Sequence, residues 1–322
     1  MSRGCMPPAA GSSTAAPVRP CPCRKGRLVI DDAGHEIYYR LFGSGAETLV
    51  GLHGGPGADH RYLARLGELA DDGLQVLLYD QLGSGQSDRP DDPSLWVVPR
   101  FVEELETVRT KLELGRVHMM GQSWGGFLAL QYTLDHPEGV RSLVLSNTAS
   151  STPECFRGMT KLRLELGADL FAKMVAYEGR GDYKSPEYED AVMQLYARHL
   201  RRATPFEIER SIREFKEIMV PLMDLGPAYF TMWGPHEFLC TGNLLDWDVT
   251  DRLAEIGVPA LILCGWYDEV TVDCHRILAE RIPDNEFVIF GNSSHVTILE
   301  KEGDAYLAVM KDFVRRAAAG EP

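Results

Sequence analysis

Gly121-Gln122-Ser123-Trp124-Gly125 sets a serine between two glycines in a G-x-S-x-G pattern. A short strand-like run, 117–120, precedes it. A stretch with helical spacing, 124–136, follows and is stopped by Pro137. A serine at such a strand–turn–helix junction sits on a strained turn with its hydroxyl exposed, and glycines flank it because side chains there would clash. A serine hydroxyl is a weak nucleophile and needs a base. In this arrangement the partners follow in the chain order serine, acid, histidine. Of the nine histidines, His295 lies just past an apolar strand-like run, 286–290, in the loop that begins at Gly291. The other eight fall on early loops, in strands, in helices or beside helix-ending prolines. Asp268 is the first carboxylate past the apolar run 260–265. Glu269 beside it is the alternative, and Asp273 is too far into the next helix. Ser123 as nucleophile, Asp268 as orienting acid and His295 as general base make a set for acyl transfer through a covalent intermediate.

That chemistry also needs two aimed backbone donors for the developing oxyanion. One is the amide of Trp124, the residue after the serine. The other comes from His53-Gly54-Gly55-Pro56-Gly57, which follows the apolar run 48–53. Gly54 and Gly55 both qualify, and we favour Gly55. This loop lacks the Lys-Ser/Thr ending of a phosphate-cradling P-loop. Seven cysteines show no paired framework, and Cys21 and Cys23 are too close for a zinc knuckle. Acyl transfer by this set needs neither a metal nor a cofactor.

The elements that must position these groups alternate. Strand-like runs at 27–30, 36–42, 48–53, 74–79, 117–120 and 140–146 are interleaved with helical spacing, which predicts a mostly parallel sheet with helices on both faces. Residues 152–247 change character: strand-like runs vanish, and 161–177, 187–203 and 205–220 show helical periodicity with dense charge. Strand signals return at 259–264 and 286–290, with helices at 272–281 and 303–318. The economical organisation is a core of 28–151 and 248–322 with a helical cap, 152–247, inserted over the carboxyl ends of the strands. Residues 1–27 carry five basic residues and no acidic one among many Ala, Pro, Ser and Gly, and are expected to be a disordered tail rather than a secretory signal.

The chain has 322 residues, a net charge of −14 and 44% hydrophobic residues. The charge argues against nucleic acid or an anionic membrane as partner. No run of 18 apolar residues is present, so no membrane span is expected. Scattered cysteines in odd number favour a reducing cytoplasm. The oligomeric state is not legible.

His53-Gly54-Gly55-Pro56-Gly57, the run Asp80-Gln81-Leu82-Gly83-Ser84-Gly85-Gln86-Ser87, and Gly121-Gln122-Ser123-Trp124-Gly125-Gly126 together resemble the proline iminopeptidases, which have the α/β-hydrolase fold. The resemblance runs from about residue 28 to the end. Trp233-Gly234-Pro235-His236-Glu237-Phe238, Thr241-Gly242, Asp246-Trp247-Asp248 and Tyr267-Asp268-Glu269-Val270 look most like the tricorn-interacting aminopeptidase branch. The resemblance implies that Glu237 and Glu269, aided by Tyr229, bind the free amino terminus of a peptide or aminoacyl amide substrate. An ammonium needs carboxylates nearby, and two of them would fix where the first residue ends. Trp124 and Trp233 are candidates to wall an apolar pocket for its side chain. The implied activity is removal of an N-terminal proline or small apolar residue. The alternative is an amino-acid amidase, an esterase or a biosynthetic tailoring hydrolase on the same triad.

Overall fold

The computed structural model describes residues 23–71, 73–202 and 208–321. Eight strands form its centre: β1 (Cys23–Val29), β2 (Glu36–Phe42), β3 (Glu47–Leu52), β4 (Leu74–Asp80), β5 (Val117–Gln122), β6 (Val140–Ser146), β7 (Ala260–Gly265) and β8 (Asn285–Phe290). They lie side by side in the order β1-β2-β4-β3-β5-β6-β7-β8. The pairs β1·β2 and β2·β4 are antiparallel and every other pair is parallel. All six residues of β5 and of β7 are buried, so both faces of the sheet are covered there. That explains why β7 is a continuous apolar run without alternation. The edge strand β1 is mostly exposed.

The covering helices are α1 (Val98–Lys111), α2 (Trp124–Asp135), α8 (Val272–Arg281) and α9 (Gly303–Ala319). Between β6 and β7 come α3 (Thr152–Leu164), α4 (Ala168–Glu178), α5 (Pro186–Leu195), α6 (Ile208–Ile218) and α7 (Pro227–Met232). This helical excursion is pinched at a neck. Ser151 pairs with Asp248 as an isolated bridge, Thr152 N–H donates to Trp247 O at 2.9 Å, and Val249 N–H donates to Ser150 O at 2.8 Å.

Two features differ from the sequence reading. The single helix expected at 161–177 is two, α3 and α4, because Gly167 turns the chain with φ of +107°. Strand β1 begins at Cys23, inside the expected tail of 1–27, and pairs with β2 along its whole length. The rest of that tail, 1–22, lies outside the described residues, as do 203–207 at the start of the third expected cap helix.

Candidate active site

The site follows from the strand order. The chain runs from β3 to β4 on one side, then crosses to β5 on the other side of β3. Loops leaving the carboxyl ends of β3 and β5 therefore diverge and open a crevice between them. Ser123 is the first residue past β5, at φ 58° and ψ −126°, and its N–H donates to Ser146 O at 3.1 Å. The turn is tight on both sides. A Cβ on Gly121 would fall 2.2 Å from Gly125 O, and one on Gly125 would fall 2.2 Å from Leu52 O. Only glycine fits where α2 starts this close to β3.

Asp268 stands three residues past the end of β7, and His295 follows β8. His295 Nδ1 lies 2.7 Å from Asp268 Oδ1. Val270 N–H donates to the same oxygen at 2.9 Å, and Asn147 Nδ2 donates to Asp268 Oδ2 at 2.7 Å. Asn147 also donates to Ser294 O at 3.1 Å, so one side chain ties the acid to the histidine loop. Gln122 Nε2 donates to His295 O at 3.0 Å, and His295 N–H donates to His199 O at 3.0 Å. Burial opposes a charge on the imidazole, but Asp268, Glu269 and Glu237 outweigh it and raise its pKa to about 9. Ser123 and His295 line one cavity of about 470 Å³ together with Gly55, Glu237 and the apolar cap residues Leu200, Met219 and Leu222.

The oxyanion loop corrects one expectation. Gly54 N–H is already engaged, donating to the Tyr62 hydroxyl at 2.6 Å, and that hydroxyl donates to Gln122 Oε1 at 2.6 Å. Gly55, with φ of +113°, lines the cavity beside Ser123 and remains the candidate from this loop. Trp124 opens α2, so its amide has no acceptor within the helix.

A second cavity of about 330 Å³ shares Gly55 and Ser123 with the first and is walled by Trp124, Phe127, Met159 and Trp233. Glu237 and Glu269 lie in its lining. Trp124 Nε1 donates to Gln81 Oε1 at 2.8 Å, which fixes the ring as a wall. Trp233 Nε1 donates to Glu237 O at 3.1 Å, and Glu237 N–H donates to the Tyr196 hydroxyl at 3.2 Å. Tyr229 is not part of either lining. Its hydroxyl donates to Glu237 Oε1 at 2.9 Å, so it supports the glutamate from behind. Burial pushes Glu237 up to about 7, partly offset by His295 and Tyr229. Burial, together with Glu237 and Asp268, pushes Glu269 well above the usual carboxylate range, although His295 opposes this. Glu269 Oε2 is buried with no hydrogen-bond partner. Glu269 Oε1 lies 3.5 Å from His295 Nε2.

Asn147, Tyr62 and Gln122 escaped the sequence reading. Asn147 had a signal, since it is a polar residue directly after the apolar strand β6, where catalytic loops leave such a sheet. Among the described residues, Asp59, His60 and Asp80 come close enough to hold a cation. Their oxygens are already used: Asp80 accepts from His60 Nδ1 at 2.7 Å and from Gln86 N–H at 2.9 Å, and Asp59 accepts from Arg61 N–H at 2.8 Å.

A family model of the alpha/beta hydrolase fold matches residues 47–174. The chain is 40% identical over 287 residues to the proline iminopeptidase of Saccharolobus solfataricus, covering 87% of this chain and 89% of that one. The chain belongs to the proline iminopeptidase family. The proline iminopeptidase of Lactobacillus helveticus is 37% identical, with 87% of this chain and 95% of that one covered. The crystal structure of the Mycobacterium smegmatis proline iminopeptidase superposes with a TM-score of 0.79 at 32% identity, over 92% of this chain and 99% of that one. The likeness to these proline iminopeptidases thus spans the helical insertion as well as the sheet.

Proposed function

We propose that this enzyme is a serine aminopeptidase that releases an N-terminal proline, or another small apolar residue, from a peptide or aminoacyl amide. The observation that carries the reading is the pair of buried glutamates, Glu237 and Glu269, lining the same cavity as Ser123, with one oxygen of Glu269 unpartnered. Buried carboxylates left without partners are costly, and an ammonium supplies what they lack. A prolyl amino terminus carries two N–H bonds, one for each glutamate. With the amine held there, one residue's length separates it from the carbonyl at Ser123.

In this reading Ser123 Oγ attacks that carbonyl while His295 Nε2 takes its proton. Asp268 holds the opposite ring nitrogen and stabilises the imidazolium. The amides of Trp124 and Gly55 receive the oxyanion. His295 then protonates the leaving amine, which departs along the apolar cavity of Leu200, Met219 and Leu222. Water attacks the acyl-enzyme with His295 again as base, and the free amino acid leaves.

No helix among the described residues is long and apolar enough to cross a membrane. Cys23, Cys155, Cys240, Cys264 and Cys274 are free thiols, which supports a reducing, cytoplasmic setting. The test of the activity is kcat/KM for prolyl and alanyl arylamides against their N-acetyl twins. A preference of about 10²–10⁴ for the free amine is expected from two charge-assisted contacts. Equal rates on both forms sink the aminopeptidase and leave an amidase or esterase on the same triad.

A further inference from the structure

Glu269 faces the catalytic base as well as the amine pocket. Its Oε1 is 3.5 Å from His295 Nε2, the nitrogen that must accept the Ser123 proton. The other ring nitrogen is pinned to Asp268 at 2.7 Å, so the ring cannot turn away without losing that bond. Both residues are almost fully buried, and Glu269 Oε2 has no partner at all. In an empty pocket such a carboxylate is relieved by a proton or by a cation. Among the described residues, the cation within reach is His295 in its imidazolium form.

We propose that Glu269 switches the base: in the empty site it holds His295 as an imidazolium, and the substrate's ammonium takes Glu269 over, so that the Nε2 proton leaves to water and a neutral imidazole stands beside Ser123. This rests on the aminopeptidase reading. One positive charge enters the pocket as one leaves, so the buried carboxylates are never left less compensated than before. A substrate without the amine leaves the imidazolium in place, and Ser123 then has no base. Selection for a free amino terminus is thereby written into the chemical step as well as into binding.

The groups facing the imidazole come from several elements. Asp268 and Glu269 belong to the loop between β7 and α8, and Glu237 comes from the segment after α7. His275 of α8 is 3.9 Å from Asp268 Oδ2, and its Nε2 accepts the Thr148 N–H at 3.0 Å, so that ring is not a competing cation. Glu300 is turned the other way, accepting from Ser294 N–H at 2.6 Å. The three carboxylates raise the imidazole to about 9 despite its burial, so the imidazolium predominates at pH 7 when the pocket is empty.

The test uses the intact enzyme and Glu269→Gln, with prolyl arylamide and the neutral ester p-nitrophenyl acetate, each followed across pH. In the wild type the ester rate should rise to a midpoint near 9, while kcat for prolyl arylamide should have its midpoint at least one pH unit lower. Glu269→Gln should move the ester midpoint down by at least one unit and raise the ester rate at pH 7 about tenfold, while prolyl turnover falls. A merely structural role for Glu269 cannot accelerate any substrate. An ester midpoint unchanged in Glu269→Gln overturns the switch. If that variant does not fold, proton NMR of the wild-type imidazole gives the same answer: pyrrolidinium chloride should lower its titration midpoint by at least one unit, and no movement overturns the proposal. A wild-type preference for free over acetylated prolyl arylamide with unmoved midpoints defeats the switch alone. Absence of that preference in the wild type defeats the aminopeptidase reading beneath it.

Discussion

Asn147 Nδ2 donates to Asp268 Oδ2 at 2.7 Å, on the carboxylate oxygen that His295 does not use. The acid is thus held by three donors from three directions, and Asn147 alone also reaches the histidine loop. Asn147→Ala strips one donor from a buried carboxylate and frees that loop. The cost is about 1–3 kcal/mol, so kcat should fall about 5- to 150-fold with KM nearly unchanged. Asp268→Asn should cost more, roughly 10⁴ in kcat, because the imidazole tautomer is no longer fixed. Steady-state kinetics on both variants order the two effects, and the opposite order would remove Asp268 as the orienting acid.

Ser123→Ala removes the proposed nucleophile at a position where φ is 58°. Activity should drop on the order of 10⁴–10⁶ with the circular dichroism spectrum and melting curve preserved. Near-normal turnover in pure protein would falsify the assignment.

Tyr62→Phe tests the oxyanion loop. Its hydroxyl bridges Gly54 N–H and Gln122 Oε1, both buried. Removing it leaves a donor and an acceptor unpaired, which costs about 2 kcal/mol and a few degrees in Tm. The loop carrying Gly55 also loses its tether to β5, so kcat should fall more than KM rises. A variant with wild-type kcat and lowered Tm would confine Tyr62 to stability.

The KM for aminoacyl substrates should depend on pH through Glu237, which burial raises to about 7. Below that value the carboxylate protonates and ceases to pair with the ammonium. KM for prolyl arylamide should therefore rise as pH falls from 8 to 6, by up to about tenfold per unit, while an N-acetyl substrate shows a flat profile. Glu237→Gln should flatten the prolyl profile and raise KM at pH 8 about 10- to 100-fold.

Stability carries a separate signature. Glu104 of α1 is buried under the loop after β4, where both its oxygens accept from Leu82 N–H, at 3.2 and 3.3 Å. Burial raises it to about 8 from an ordinary value near 4.5. Between those values the folded chain keeps a proton that the unfolded chain gives up, so this contribution is complete below about pH 4.5 and is lost as pH rises toward 8. Glu104→Gln should melt at a higher temperature than the wild type at pH 8, with the gap closing by pH 5. A constant gap across pH would mean that Glu104 is ionised in the folded state.

The proposed triad could be picked out because each candidate follows a strand-like apolar run, and such runs announce themselves in one dimension. Ser123, Asp268 and His295 follow β5, β7 and β8. Glu237, Glu269 and Tyr229 came from resemblance, since nothing in their spacing shows that residues 32 positions apart meet. Helix α1 went unread: its mixed charges and β-branched residues blur the 3.6-residue period that its packing against α2 enforces. The engagement of Gly54 was hidden because it depends on Tyr62, eight residues away on a 3₁₀ stretch whose direction only the fold sets. The break at Gly167 had its glycine in plain view, but helical periodicity continues on both sides of it.

Gly55 and Trp124 hang from β3 and β5, which are hydrogen-bonded neighbours. The lateral period of any β-sheet is about 4.8 Å, fixed by backbone bonding and indifferent to side chains. The gap proposed to receive the negative oxygen is therefore ruled by the same lattice that holds the core together. Mutating the lining can change which acyl groups enter, but the spacing between the two donor-bearing loops stays anchored to that lattice. The insertion is free to vary above a receptacle whose width the sheet helps to set.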